Sequence, residues 1–245
     1  MSKKYIASAI VVLAGFMGSY SAQAQVNLKS ISVGASYWQP SLDYWNDRSF
    51  LTAYNNGSGA KFSGQVIPTA AIEIGIAKNL SVGGRVGYYK SSASSSLVIG
   101  GITRTEDFSI SIIPVALDLK YTFAQAPAPA TTTGTTTTQE KPKDAFLTPY
   151  IGVSVARYFI NNELNRVVVA NPGTLSEKQS GNSYGVQVFV GAEKKLVKML
   201  YAALDVRYHL GSYNQLTRTE TTSTTEKVSL NGVEAGLSLR LKFNN

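Results

Sequence analysis

The chain has 245 residues, no cysteine, a single histidine and a formal net charge of +8. Without cysteine it lacks the disulfide staples on which small secreted domains usually depend. Its basic residues are spread along the chain with no run, so there is no nucleic-acid footprint. After residue 24 no apolar stretch reaches the ~20 residues of a transmembrane helix, which excludes a helical membrane protein.

The first 24 residues have the pattern of a secretory signal peptide. Two lysines give a positive start, Ile6–Phe16 forms an apolar core, and Ala22-Gln23-Ala24 offers small residues for cleavage. The core is too short to span a bilayer as a helix. We therefore expect cleavage near Ala24 and a mature chain of residues 25–245.

The mature region alternates apolar with small or polar residues, the period of a half-buried β-strand. Eight such segments follow one another, through residues 31–37, 72–77, 80–88, 108–123, 151–156, 184–193, 202–210 and 234–243. This pattern predicts an all-β fold, an eight-stranded antiparallel up-and-down transmembrane β-barrel.

The fourth segment changes parity within its length. Phe108, Ile110 and Ile112 share one face, whereas Ile113 restarts the apolar series on the other face just before Pro114. A β-bulge shifts the phase by one residue and tolerates proline, so we expect a bulge here.

The polar face carries charges of both signs at regular strand positions, among many Gly, Ser and Ala residues. In a narrow lumen such charges can pair and offset the cost of burial, and small residues suit the tight interior of eight strands. The predicted lumen charge network comprises Glu73, Arg85, Asp118, Lys120, Glu193, Asp205, Arg207, Glu234 and Arg240. Either this network fills the barrel, or the small residues leave a water-filled path lined by Arg85, Asp118, Arg207 and Glu234.

Aromatic residues gather near the strand ends, as they do at the two interfaces of a bilayer. The predicted interfacial aromatics are Tyr37, Trp38, Tyr88, Tyr158 and Tyr208 at one rim, and Tyr121, Phe123, Tyr150 and Phe243 at the other. A soluble periplasmic barrel with an apolar ligand would have to place these aromatics inside and the nine charges outside.

Connection lengths predict long outer loops and short inner turns. The outer loops are Pro40–Gly64, Lys90–Glu106, Ile160–Gly181 and Gly211–Lys227, and the inner turns include Lys78-Asn79 and Lys194–Lys198. Residues 124–145 are a low-complexity Pro/Ala/Thr tract, which we interpret as a disordered periplasmic insertion. The alternative, a linker between two four-stranded domains, would leave open strand edges in hydrocarbon.

Two outer loops carry apolar residues that either contact a surface partner or extend the barrel hairpins above the membrane. They are Tyr44, Trp45, Phe50, Leu51 and Tyr54 in the first loop and Val167–Val169 in the third.

The chain resembles the small outer-membrane β-barrel domain proteins of the OmpA/OmpX-like and porin-family type. The resemblance rests on Ile113–Phe123, Thr148–Val153, Asp205–His209 and the alternating leucines of the closing strand. It implies insertion by the barrel-assembly machinery into outer-membrane lipid and lipopolysaccharide. Such proteins typically end on an aromatic residue, whereas here two asparagines follow Phe243.

Catalysis has little support in the sequence. His209 and Asp205 share a strand face, but no nucleophile motif accompanies them. No metal-ligand cluster, cofactor motif or phosphate loop is present. We expect a non-catalytic outer-membrane barrel with a structural or surface-interaction role, with a narrow passive channel for small solutes or ions as the alternative.

Overall fold

The computed structural model describes residues 27–48, 61–123, 147–168, 171–218 and 223–243. The predicted signal peptide and the 124–145 insertion lie outside these residues. The strands are β1 Asn27–Pro40, β2 Gln65–Gly75, β3 Leu80–Gly87, β4 Tyr89–Ile99, β5 Ile102–Thr122, β6 Thr148–Val168, β7 Asn171–Lys195, β8 Leu200–Arg218, β9 Ser223–Ser229 and β10 Gly232–Lys242. No helix in the described ranges is long and apolar enough to cross a membrane.

The strands close into a ring of eight staves, where a stave is one segment of the barrel wall made of a single strand or of two strands in line. Neighbouring strands pair antiparallel in chain order, and β1 pairs with β10 to complete the circle. Strands β3 and β4 form one stave, because both pair with β5 in a single continuous register. Strands β9 and β10 likewise share one register against β8. The predicted eight-stranded antiparallel barrel is confirmed.

Every second residue of each stave is apolar and exposed on the outside of the barrel. Together these residues form an apolar band that runs from the end with the short inner turns to the middle of the barrel. This arrangement is the one that lipid hydrocarbon demands of a membrane-spanning strand. The band comprises Ile31, Val33, Tyr37, Ile72, Val86, Tyr88, Val115, Leu117, Leu119, Tyr121, Ile151, Val153, Val155, Tyr184, Val186, Val188, Val190, Leu204, Val206, Tyr208, Leu210, Leu237, Leu239 and Leu241.

The predicted bulge near Ile113 is wrong. Strand β5 pairs with β6 in one unbroken register, from Arg104 opposite Val168 to Thr122 opposite Tyr150. The apolar series changes parity because the polarity of the surroundings inverts along the strand. Beyond Pro114, on the outer side, the apolar side chains turn inward into a buried core, while Asp107 is exposed outward.

A register shift does occur between Leu28 and Ser30 of β1, opposite β2. Strict alternation would place Lys29 on the lipid side. The irregularity instead brings its ammonium to 3.1 Å from the Glu73 carboxylate in the lumen. Bulges commonly re-aim a side chain in this way.

The outer connections are largely strands that extend the barrel beyond the apolar band, rather than the loops predicted from their length. Strands β4 and β5 pair out to Ile99 opposite Ile102, and the chain reverses through Gly100 and Gly101 at φ of 58° and 80°. Positive φ at both central residues suits the two-residue turns that match strand twist, and glycine adopts it without steric cost. For the apolar residues of the outer connections, one of the two interpretations was that the hairpins continue the barrel above the membrane. The described part of the third connection has this arrangement, because β6 and β7 remain paired there.

Because the surroundings of β5 change from hydrocarbon to water along its length, we expect a lysine substitution to have different effects at two outward positions of this strand. Leu117→Lys places a charge within the apolar band and should lower the free energy of unfolding by about 2–4 kcal/mol, against about 0–1 for Ser111→Lys above it. Urea titration of both variants, refolded in lipid vesicles, measures the difference. Equal losses would contradict a hydrocarbon boundary between the two positions.

Candidate functional site in the barrel lumen

The inner end of the lumen contains two carboxylates, each held by two cations. Glu73 Oε2 accepts a hydrogen bond from Lys120, whereas Oε1 accepts one of 2.7 Å from the Ser81 hydroxyl and lies 3.1 Å from the Lys29 ammonium. Because the carboxylate belongs to β2 and Lys120 to β5, this contact ties staves that are not neighbours.

Glu193 of β7 forms the second inner cluster. Arg240 of β10 donates to its carboxylate over 3.0 Å, and Lys242 donates to the other oxygen. The same guanidinium donates to the Tyr150 hydroxyl at 3.2 Å and lies 4.9 Å from the centre of that ring. Charge pairing and ring contact together satisfy a group that is buried in the lumen.

Midway through the barrel, Arg207 of β8 forms a bidentate pair with Asp118 of β5, at 3.1 and 3.0 Å. Its Nη1 also donates to Ser154 and Gln187 over 2.8 and 2.7 Å. The guanidinium lies 4.2 Å above the centre of the Phe189 ring. Fork-to-carboxylate geometry of this kind is the strong form of an ion pair.

Glu234 of β10 has three side-chain partners in the lumen. It pairs with Arg85 across the ring, at 3.2 Å for one contact, and accepts from the Ser36 hydroxyl over 2.5 Å. His209 Nε2 lies 2.7 Å from its second oxygen. A carboxylate can only accept here, so the imidazole carries a proton on Nε2. The Gln187 amide nitrogen, 3.2 Å from Nδ1, can only donate, so Nδ1 is the acceptor.

That acceptor is satisfied within the same layer. The Tyr158 hydroxyl donates to Nδ1 over 3.0 Å, and Gln187 donates to the Tyr158 oxygen over 3.1 Å. The Trp38 ring stacks on the imidazole with ring centres 4.5 Å apart. The histidine is 0% exposed, so Trp38 and its polar partners enclose it completely.

A polar cavity of about 50 Å³ remains between the charge clusters, with Ser32, Thr69, Asp118, Asp205 and Arg207 in its lining. About 10–15 Å³ of such space suffices for one water molecule, so the cavity has room for a few. Among the described residues, Asp205 makes no ion pair or direct hydrogen bond, although it faces this cavity.

An apolar layer fills the lumen on the outer side of the charges. Trp38, Tyr89 and Tyr158 pack here with three isoleucines, and all six side chains are fully buried. The isoleucines are Ile67, Ile110 and Ile112. Close-packed aromatic and aliphatic side chains leave no room for water, so this layer separates the charged half of the lumen from the outer mouth.

The outer mouth is covered by the single helical turn Tyr44–Arg48. Trp45 enters the barrel from this turn and donates from its indole N–H to the Tyr213 hydroxyl at 2.8 Å. The centres of the Trp45 and Phe108 rings are 4.2 Å apart. An open vestibule of about 600 Å³ lies beside it, with Asn162, Gln179 and Gln215 among the lining residues. Aromatic rings and amide groups together line this opening.

Sequence reasoning placed nine charges in the lumen, and the structure has all nine on inward rows. Eight of them join ion pairs, and Asp205 does not. Reasoning from parity missed Lys29, because a register irregularity reorients it. It also missed buried Glu106, which accepts from Arg104 and Arg166 over 2.8 and 2.6 Å. The inward row of Phe108 and Ile110 was the available signal for that residue.

Three predicted interfacial aromatics are misplaced. Trp38, Tyr150 and Tyr158 are buried in the lumen, at 0%, 2% and 0% exposure. Each lies on the same inward-facing row as small polar residues, as Trp38 does with Ser36. Alternation along the strand therefore indicated the lumen correctly, whereas position near the strand end wrongly suggested the lipid interface. The structure has the other aromatics at least partly exposed: Tyr37, Tyr88, Tyr121, Phe123, Tyr208 and Phe243.

The apolar residues of the outer connections divide in the same way. Trp45 is buried in the barrel mouth and Tyr44 is half-buried, whereas Val167 is exposed. Phe50, Leu51, Tyr54 and Val169 lie outside the described residues, as does the side chain of Val168. Trp45 therefore closes the mouth and is not free to contact a partner.

The chain matches no known protein-family model and no curated protein. Solved structures do match it. OprG, an outer membrane protein of Pseudomonas aeruginosa, is 13% identical over 90% of this chain and 98% of its own, with a TM-score of 0.51. Neisserial surface protein A is 12% identical over 87% and 96%, with a TM-score of 0.43. The outer membrane protein AlkL is 14% identical over 93% and 96%, with a TM-score of 0.45.

At this identity the similarity to OprG shows a shared fold and nothing finer. The closed ring of eight staves, the apolar band and this similarity together define the class: the chain has the fold of a small outer-membrane β-barrel protein. Its lumen chemistry has to be judged from its own residues.

The geometry distinguishes two lumen carboxylates of the same type. Asp118→Asn breaks a buried bidentate pair and leaves Arg207 uncompensated, which should cost about 3–5 kcal/mol of unfolding free energy. Asp205→Asn removes a carboxylate with no direct partner among the described residues and should cost less than about 1 kcal/mol. Denaturant titration in lipid vesicles compares them, and similar losses would mean that the Asp118 pair contributes no special stability.

Proposed function

We propose that the protein is a closed, non-catalytic barrel of the outer membrane with a structural or surface-interaction role. The observation that carries this proposal is the filling of the lumen. Paired charges occupy its inner half, and the apolar layer around Trp38, Tyr89 and Tyr158 lies directly above them. A lumen filled in this way supports a scaffold more than a conduit.

The outer part of the barrel supports the surface-interaction role. Strands β4 to β9 extend beyond the apolar band, and β5 to β8 line the 600 Å³ vestibule described above. Sites that bind small molecules or chains commonly combine an apolar floor with a few polar groups. Tyr44 and Phe108 supply the floor, and the amides of Asn162 and Gln215, joined by a 2.6 Å hydrogen bond, supply the polar groups.

The non-catalytic proposal rests on the burial of the one histidine. Glu234, His209 and Tyr158 form a hydrogen-bonded chain that resembles an activated triad in its connections. However, these three side chains are no more than 2% exposed, and Trp38 stacks against the imidazole. A substrate would have to displace packed core residues to reach it.

A narrow passive channel is the second candidate, and the polar 50 Å³ cavity favours it. Ions that reached this cavity would meet side chains of both signs. Conduction would also require the apolar layer above the cavity to open, which is the costly step in this alternative.

We further propose that the chain is exported and cleaved near Ala24, assembled by the barrel-assembly machinery and surrounded by outer-membrane lipid and lipopolysaccharide. Carbonate extraction should leave the protein with the membrane fraction, and mass spectrometry should give Gln25 as the first residue. Release by carbonate would favour the soluble periplasmic barrel instead.

Conductance separates the two candidate functions. In a planar bilayer the inserted protein should give no discrete current steps, and Arg207→Ala should lower the temperature at which the folded band is lost on a gel, because a buried pair is broken. Steps whose ion selectivity changes in Arg207→Ala would establish a channel. A Lys90→Ala variant, which removes an exposed outward charge, controls for net charge.

A further inference from the structure

An arginine interrupts the lipid-facing row of β6. Outward positions on this strand read Ile151, Val153, Val155, Arg157 and Phe159, and all five are exposed. Register places Arg157 opposite Val115 of β5 and Tyr184 of β7, both of which belong to the apolar band. A guanidinium among these side chains is unexpected, because hydrocarbon strongly disfavours charge.

The neighbours locate Arg157 at the outer edge of the band. The next outward residue after Phe159 is the exposed Asn161, and Asn182 follows Tyr184 in the same direction on β7. Aromatic residues typically lie at the headgroup level of a bilayer, with polar residues beyond them. The cost of a charge on the lipid face falls towards zero at this depth, so the position is tolerable.

The side chain is held from three directions. Its guanidinium lies 5.0 Å from the centre of the Phe159 ring and 5.4 Å from that of Tyr184. Nη2 donates to the side-chain amide oxygen Oδ1 of Asn182 at 3.2 Å. Among the described residues no carboxylate lies within ion-pair distance of it, so the protein orients this charge without neutralising it.

The chemistry of the position selects a ligand. An oriented guanidinium with unused N–H donors matches two oxygens of a phosphate, the bidentate geometry that arginine offers and lysine does not. The aromatic rings beside it continue the surface that acyl chains cover. A phosphate attached to those chains is therefore brought to this level by the membrane itself.

We infer that Arg157, oriented by Phe159, Tyr184 and Asn182, binds a phosphate group of a lipid in the outer leaflet. This inference rests on the proposed function, since it requires insertion in an outer membrane. It adds a defined lipid-binding position on the outer wall of the barrel, separate from the lumen and the mouth.

Native mass spectrometry tests the inference. The full-length mature protein is inserted in phosphatidylcholine nanodiscs that contain purified bisphosphorylated lipid A, and the fraction that retains a lipid A molecule is measured. Arg157→Gln should lower the apparent affinity about tenfold, the scale of one charge-assisted contact. Arg157→Lys should restore only part of it, because the charge returns without the fork.

Lys90→Gln is the matched control, because Lys90 is exposed on the outward face of β4 and has no ring contact with a described residue. It should change the affinity less than twofold. Lipid A without phosphates should bind wild type and Arg157→Gln equally. Displacement of lipid A by millimolar inorganic phosphate would mean that the site takes free phosphate, which overturns the lipid assignment.

Equal retention in wild type and Arg157→Gln, or an equal loss in Lys90→Gln, would also overturn the inference. Insertion is checked separately by the heat-dependent gel shift and carbonate extraction of every variant. Inserted variants that bind alike refute the lipid site alone. A wild type that fails to insert refutes the proposed function and this inference with it.

Discussion

The boundary between hydrocarbon and water determines which way most side chains in this barrel point. Within the apolar band, each stave has to present apolar side chains outward, so its polar residues fill the lumen. Beyond the band the outside is aqueous, and the same strands reverse their polarity without any change of register. Strand β5 shows both halves, with Leu117 outward and Asp118 inward near one end, and Ser111 outward and Ile112 inward further along.

The charges of the inner half follow from this constraint, and their pairing fastens the ring. Asp118 meets Arg207 between β5 and β8, and Glu234 meets Arg85 between β10 and β3. In each case two other staves separate the partners around the barrel. Removing one partner of such a pair leaves an uncompensated buried charge. Replacing both partners by apolar residues would leave none. The network therefore depends on complete pairing more than on the number of its charges.

Alternation in the sequence was enough to predict eight staves and the inward charges, because period two fixes the face of every residue once a strand is placed. It was insufficient where the solvent changes along a strand or where the register between strands decides a contact. Ile113 looked like the site of a bulge because the change of solvent was not visible in one strand alone. Trp38 was assigned to the lipid interface by its position near a strand end, although its row with Ser36 is the inward one. Lys29 and the contacts of Glu234 depend on register between strands, which a single sequence does not specify.

The dry apolar core above the charges is the central claim. Fluorescence tests it directly because the chain has two tryptophans, Trp38 within the apolar layer and Trp45 buried in the mouth above it. The measurement is quenching of the vesicle-inserted protein by aqueous iodide and by brominated acyl chains. A Tyr37→Trp variant with Trp38 and Trp45 replaced by Phe is the lipid-exposed reference. We expect weak iodide quenching of the native protein and brominated-lipid quenching well below that of the reference. Strong iodide quenching would show a water-filled lumen, and lipid quenching equal to the reference would place the tryptophans on the outside of the barrel.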